Sequence, residues 1–139
     1  MDCPERVDQS KRLLMTIQPR YLALLLLFFG LMVVVGSTPG NANALSDRFG
    51  DKTLHLIAYI GLSVLCYRAW LAPRKQRIVI TLLMIALLGL IDEGIQAALP
   101  YRNASVVDWC VDFLAALMTI GALWLQESFS TLHNPHAKN

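Results

Sequence analysis

His55 stands on a four-residue spacing with Asp51 and Tyr59, with Lys52 beside it, inside a stretch that is otherwise largely apolar. Further along, Asp92, Glu93 and Gln96 fall close together, and Arg102, Ser105, Asp108 and Asp112 follow on a three- to four-residue spacing. Residues so spaced share a face of an α-helix. An imidazole among carboxylates can relay protons, and Arg or Lys nearby can grip phosphate or carboxylate. His55, Asp92, Glu93 and Asp108 are therefore the candidates for acid–base catalysis. Lys52, His55, Tyr59, Glu93, Gln96, Arg102, Ser105, Asp108 and Asp112 are the candidates for ligand binding. A hard ion such as Mg²⁺ would suit so many oxygens, whereas a single histidine disfavours zinc; the sequence itself requires no metal and no cofactor.

These residues have to be positioned by membrane helices. Of 139 residues 55% are hydrophobic and 16% charged, with a mean hydropathy of +0.49, against about 25% charged in soluble domains. The length allows one domain. A net charge of +2 on scattered basic residues does not indicate nucleic acid, and there is no Gly-rich phosphate loop, metal-type Cys/His spacing or internal repeat. Cys3, Cys66 and Cys110 form no CxxC pair and read as inert thiols. Apolar runs cover Tyr21 to Val35, about Thr53 to Leu71, Ile78 to Leu99 and Val106 to Leu125, with a loop after the first and prolines ending the next two. A hydrocarbon core of about 30 Å needs roughly 20 helical residues, so the third and fourth runs span it only if their acidic turns are included. The expected fold is all-α, a small bundle of four transmembrane helices over residues 21–127, with a segment before residue 21 and a flexible tail over 128–139.

Nine of the twelve Lys and Arg residues lie before the first run, around the second loop and after the fourth run. The positive-inside bias then makes both termini cytoplasmic and turns the polar helix ends outward. Tyr101 and Trp109 would lie in the outer aromatic belt, and Tyr21, Trp70 and Trp124 in the inner one. Ala42-Asn43-Ala44 resembles a signal-peptidase site, but acids among the preceding residues and a long apolar run fit a retained helix better. By helical rise, Asp92 and Asp112 both lie roughly 9 Å below the outer edge.

An aspartate at a helix centre costs about 2.5 to 3.5 kcal/mol on insertion, while each large apolar residue returns about 0.3 to 0.6. Asp92, Glu93 and Asp112 should therefore turn inward and be paired, with Arg102 the preferred partner because of its bidentate fork. Counting Asp51 and Asp108, five acids face two permanent cations, Lys52 and Arg102; a protonated carboxyl or a bound cation would restore the balance. Simpler roles compete: Tyr59 or Gln96 as interhelical glue, Asp51 as an N-cap or, like Arg48, a solvated loop charge, and Gly89, Ala115 and Ala116 as close-packing positions. The polar set is expected to be confined to the outer third, which leaves no path for ion or proton conduction. The tail residues His133, Pro135 and His136 read as a disordered end and not as a metal tract.

Three segments resemble the VanZ-like membrane protein family. They are Asp51-Lys52-x-x-His55-x-x-x-Tyr59, Asp92-Glu93-x-x-Gln96 and Arg102-x-x-Ser105-x-x-Asp108. In order and spacing the likeness covers 51–121. Asp112 stands where the family commonly has Asn, and Ala115 and Ala116 where a glycine is usual. The resemblance implies a multi-pass protein of the bacterial inner (cytoplasmic) membrane. Its outer site would bind or modulate an envelope lipid, a lipid-linked precursor or a glycopeptide-type antibiotic, since the family is named for a protein linked to teicoplanin resistance. The alternative is a membrane-embedded enzyme acting on a lipid-linked substrate.

Overall fold

The computed structural model describes residues 16–133 and is mostly helical. Strand β1 (Thr16–Ile17) leads into helix α1 (Pro19–Gly36), followed by α2 (Asn41–Phe49), α3 (Asp51–Ala69), strand β2 (Trp70–Leu71), α4 (Arg74–Ala97) and α5 (Val106–His133). Pro19 opens α1, where a missing N–H costs nothing. Pro73 precedes α4, and Pro100 follows its end.

Three short elements were not expected, helix α2 and the two strands. The stretch between the first two apolar runs, opening on the loop Ser37 to Asn41, carries no helix in the sequence reading, yet Asn41–Phe49 form a helix bounded by Gly40 (φ 90°) and Gly50 (φ 79°). Those positive φ values suit glycine, and Gly50 turns the chain from α2 into α3 within one residue, which places Asp51 in the first turn of α3. Ala42 to Ala44 fall within α2. At the opposite end of the bundle β1 and β2 pair antiparallel, Thr16 with Leu71 and Ile17 with Trp70, tying the start of α1 to the end of α3.

Helix α3 is central and packs against α1, α4 and α5, while α4 also packs on α5. The core joins Leu25 of α1, Tyr59, Leu62 and Cys66 of α3, Ile85 and Leu88 of α4, and Ala115 and Ala116 of α5. Both alanines are fully buried, as close-packing positions should be. Gly89 fills the same role between α4 and α5, since a Cβ there would lie 2.8 Å from Trp109 Cδ1. Cys66 is buried and Cys110 exposed, and both are free thiols.

Three helices are long and apolar enough to cross a membrane: α1, α4, and α5 as far as Ser130, with hydropathies of 2.0, 2.3 and 1.8. Their outward faces carry Leu26, Leu27, Leu83, Leu90 and Leu117, all exposed, an apolar surface suited to lipid chains. The chain is thus a multi-pass membrane protein by length and composition. Helix α3, expected as the second span, is not among these three. Its polar side chains lower its hydropathy, and of these His55, Tyr59, Ser63 and Tyr67 are buried against neighbouring helices while Lys52, Thr53 and Arg68 are exposed. Helix α5 runs on to His133, so the first part of the expected flexible tail is helical; Pro135 and His136, like most of the segment before α1, lie outside the described residues.

Candidate functional site

The first turns of α3 and α5 and the last turns of α4 meet at one end of the bundle. His55, Tyr59, Asp92, Glu93, Gln96, Asp108 and Asp112 are all buried there, in agreement with the insertion argument. His55 Nδ1 lies 2.9 Å from Asp112 Oδ1 and 4.0 Å from Asp92 Oδ2. Its ring stacks on Tyr59, with centroids 6.1 Å apart. Gln96 donates from Nε2 to Asp92 Oδ2 at 3.2 Å. The backbone N–H of Ser105 donates to Glu93 Oε2, and Ser105 Oγ accepts from the Asp108 N–H at 3.3 Å, capping α5. Lys52 pairs with Asp108 at 3.5 Å while its own side chain stays largely exposed. The candidate catalytic and binding residues thus join one constellation, Arg102 among them through Gln96.

The pairing differs from expectation in its central choice. Arg102 does not bind Asp92, Glu93 or Asp112; it donates to Asp51 Oδ1 at 3.1 Å and to Gln96 Oε1 at 3.0 Å. It sits on the turn beyond α4, where Asp51 at the start of α3 is in reach. Asp51 is consequently neither an N-cap nor a free loop charge: Gly50 is the N-cap position, and the Asp51 side chain anchors Arg102. Arg48 remains exposed, with its guanidinium 5.6 Å from the Phe49 ring centroid. Tyr101 donates to the Ser37 carbonyl, and Trp109 Nε1 donates to the Ala86 carbonyl at 3.0 Å, so both aromatics tie chain segments together.

A cavity of about 320 Å³ adjoins the constellation. Its polar end is formed by Asp51, His55, Asp92, Gln96 and Arg102, and its wall by Phe28, Leu31, Met32 and Val35 of α1 with Leu54, Ile57 and Ala58 of α3. Leu31 and Ile57 are 58% and 63% exposed, so the cavity reaches the surface along the α1–α3 seam. Nothing in the sequence marked α1 as a wall, because a uniformly apolar helix carries no sign of which face meets a ligand. Two groups, Asp51 with His55 and Asp108, and His55 with Glu93 and Asp112, each bring one ligand atom per residue within 4.8 Å of the others.

Polar residues also continue beyond this constellation, contrary to the expected confinement. His55, Tyr59, Ser63 and Tyr67 form one buried stripe along α3, and Thr81 and Thr119 are buried as well. At the far end Glu127 accepts from Arg74 at 3.0 Å and from the Tyr67 hydroxyl at 3.2 Å, and pairs with Arg77 at 3.1 Å. The detectable signal was a lone acid at the end of α5 level with the basic start of α4. No protein-family model matches the chain, and no curated protein or solved structure matches it either.

Proposed function

We propose that the chain is a VanZ-like protein with four membrane spans and cytoplasmic termini, whose outer-face cavity binds an envelope lipid or lipid-linked precursor. The carrying observation is the division of the cavity into an apolar wall along α1 and α3 and a polar end at Arg102. An amphipathic molecule matches both parts: its chain lies against Met32, Leu54 and Ala58, and its anionic head meets the guanidinium. Arg102 Nε is buried without a hydrogen-bond partner among the described residues, which leaves a donor for that head. The volume is at the lower end of small-molecule sites, about 300 to 1,000 Å³, which favours a lipid headgroup with the first part of its chain over a whole glycopeptide. Helix α3 serves as the fourth span because its polar stripe is covered by α4 and α5.

Phosphatidylglycerol carrying a photoactivatable acyl chain, added to the protein in nanodiscs, tests the binding. Crosslinks are expected on Met32, Leu54 or Ala58, falling about tenfold or more in Arg102→Ala, since a hydrogen bond to a charged group contributes about 1.5 to 3 kcal/mol. Ala58→Trp, which fills the apolar wall, is expected to block labelling as well. Undiminished labelling in both folded variants would refute the reading. Orientation is checked separately: in a cysteine-free background Asn103→Cys should react with an impermeant thiol reagent from outside intact cells, and Gln76→Cys should not.

A second reading rests on the His55–Asp112 contact at 2.9 Å. A buried carboxylate that orients an imidazole lining a cavity is the arrangement of a general base. Turnover of a polyprenyl- or glycerol-linked phosphate substrate by purified protein, lost in His55→Ala, would establish it.

A further inference from the structure

We infer that His55, Glu93 and Asp112 form a binding site for a six-coordinate divalent cation, a site behind the cavity and separate from the lipid reading above. Charge pairing inside the constellation leaves it there. Asp51 is matched by Arg102 at 3.1 Å, and Asp108 by Lys52 at 3.5 Å. Asp92, Glu93 and Asp112 remain, and His55 is the one imidazole among them. Three buried carboxylates in a low-dielectric bundle call for more positive charge than one imidazole can supply.

Unsatisfied oxygens point to the same place. Asp112, 1% exposed, uses Oδ1 for His55 and leaves Oδ2 without a hydrogen-bond partner among the described residues. Glu93, 8% exposed, uses Oε2 for the Ser105 N–H and leaves Oε1 likewise unpartnered. Buried acceptors in native proteins are nearly always satisfied, and a bound ion is one of the standard explanations when they are not. The alternative grouping of Asp51, His55 and Asp108 shares His55 and also has an oxygen without a hydrogen-bond partner among the described residues, Asp108 Oδ1, but both of its acids already hold a cationic side chain.

Spacing is compatible with six-coordination. With metal–ligand bonds of about 2.1 Å, adjacent donors stand roughly 3.0 Å apart around an octahedral ion and roughly 3.4 Å apart around a tetrahedral one. His55 Nδ1 and Asp112 Oδ1, 2.9 Å apart as a hydrogen-bonded pair, stand at the octahedral edge distance, and an ion bound through Nδ1 would displace the ring proton between them. Opposite donors stand roughly 4.2 Å apart in the same geometry, and the three donor atoms here lie within 4.8 Å of one another, near enough to meet on one centre after side-chain movement. One nitrogen with several carboxylate oxygens suits Mn²⁺ or a similar ion better than a thiolate-seeking one. His55 and Asp92 also line the cavity, so an ion held here would lie next to the headgroup position.

The full chain, stripped with EDTA in detergent and titrated with Mn²⁺ alone, decides the matter by electron paramagnetic resonance. The expected result is one tightly held ion per chain with a ¹⁴N coupling from His55. Asp112→Asn and Glu93→Gln should each weaken retention about tenfold or more, as even supporting residues of metal sites do on substitution, while Asp51→Asn should leave it unchanged. No retention by the wild-type chain at millimolar Mn²⁺, retention without nitrogen coupling, or affinity unaltered in folded Asp112→Asn would each overturn the site. The wild-type coupling needs no variant to fold. Because the lipid crosslinking can be run in EDTA, loss of the ion and loss of the lipid are separately readable.

Discussion

Gly89→Ala is expected to destabilise the bundle although alanine is the better helix former. In the interior of α4 the substitution gains about 1 kcal/mol of helix propensity. The added methyl would meet Trp109 Cδ1 at 2.8 Å, Trp109 Nε1 at 3.3 Å and Asp112 Oδ2 at 3.1 Å. Trp109 cannot yield freely, because its indole N–H is held by the Ala86 carbonyl at 3.0 Å. Overpacking costs about 1 to 3 kcal/mol and a lost hydrogen bond about 1, so the net loss is about 1 to 3 kcal/mol. Gly94→Ala in the same helix is the control: nothing lies within 4 Å of its added methyl, and it should gain about 0.5 to 1 kcal/mol. Unfolding in mixed micelles with increasing dodecyl sulfate, followed by tryptophan fluorescence, compares the two. If Gly89→Ala proves as stable as Gly94→Ala, the close approach of α4 and α5 that brings Asp112 to Glu93 is refuted.

Two further outcomes follow from the pairings. His55→Ala and Asp112→Ala should each cost about 3 to 5 kcal/mol by stranding a buried partner, and the double substitution should cost less than their sum by about 0.5 to 3 kcal/mol; strict additivity in the unfolding assay would mean that the 2.9 Å contact carries no coupling. Glu127→Ala should cost only about 0.2 to 1 kcal/mol, because its side chain is 31% exposed and solvent screens the pairing. It should leave lipid crosslinking at the other end of the molecule intact, and a loss of crosslinking would show that the two ends are coupled.

The polar constellation was legible in the sequence because helical periodicity is a local property: four-residue steps place Asp51, His55 and Tyr59 on one face whatever the rest of the chain does. Which acid meets which base was not legible, since that depends on the rotation and height of one helix against another. Arg102 has the best side chain for any of the acids, yet its place beyond the end of α4 gives it Asp51, while the deeper Asp112 falls to His55. Helix α2 escaped because it is short and polar overall, with an apolar spacing of only three residues, Ala42, Leu45 and Phe49, and its limits are set by two glycines in positive φ. The two-residue ladder lies below any propensity signal.

Helix α3 shows why assembly of the bundle and assembly of the site are one event. Facing lipid, its buried stripe of His55, Tyr59, Ser63 and Tyr67 would work against insertion; packed against α4 and α5 it becomes the contact around which they close. The acids of α4 and α5 have the same difficulty and find the same remedy, because Asp92 and Asp112 lie beside His55 of α3. Each helix therefore supplies the partner that lets another bury its charge. A substitution that removes His55 should loosen the packing of all three, so loss of ligand in that variant has to be judged against its stability, and the same holds for Arg102, whose side chain is 11% exposed and bonded to Asp51 and Gln96.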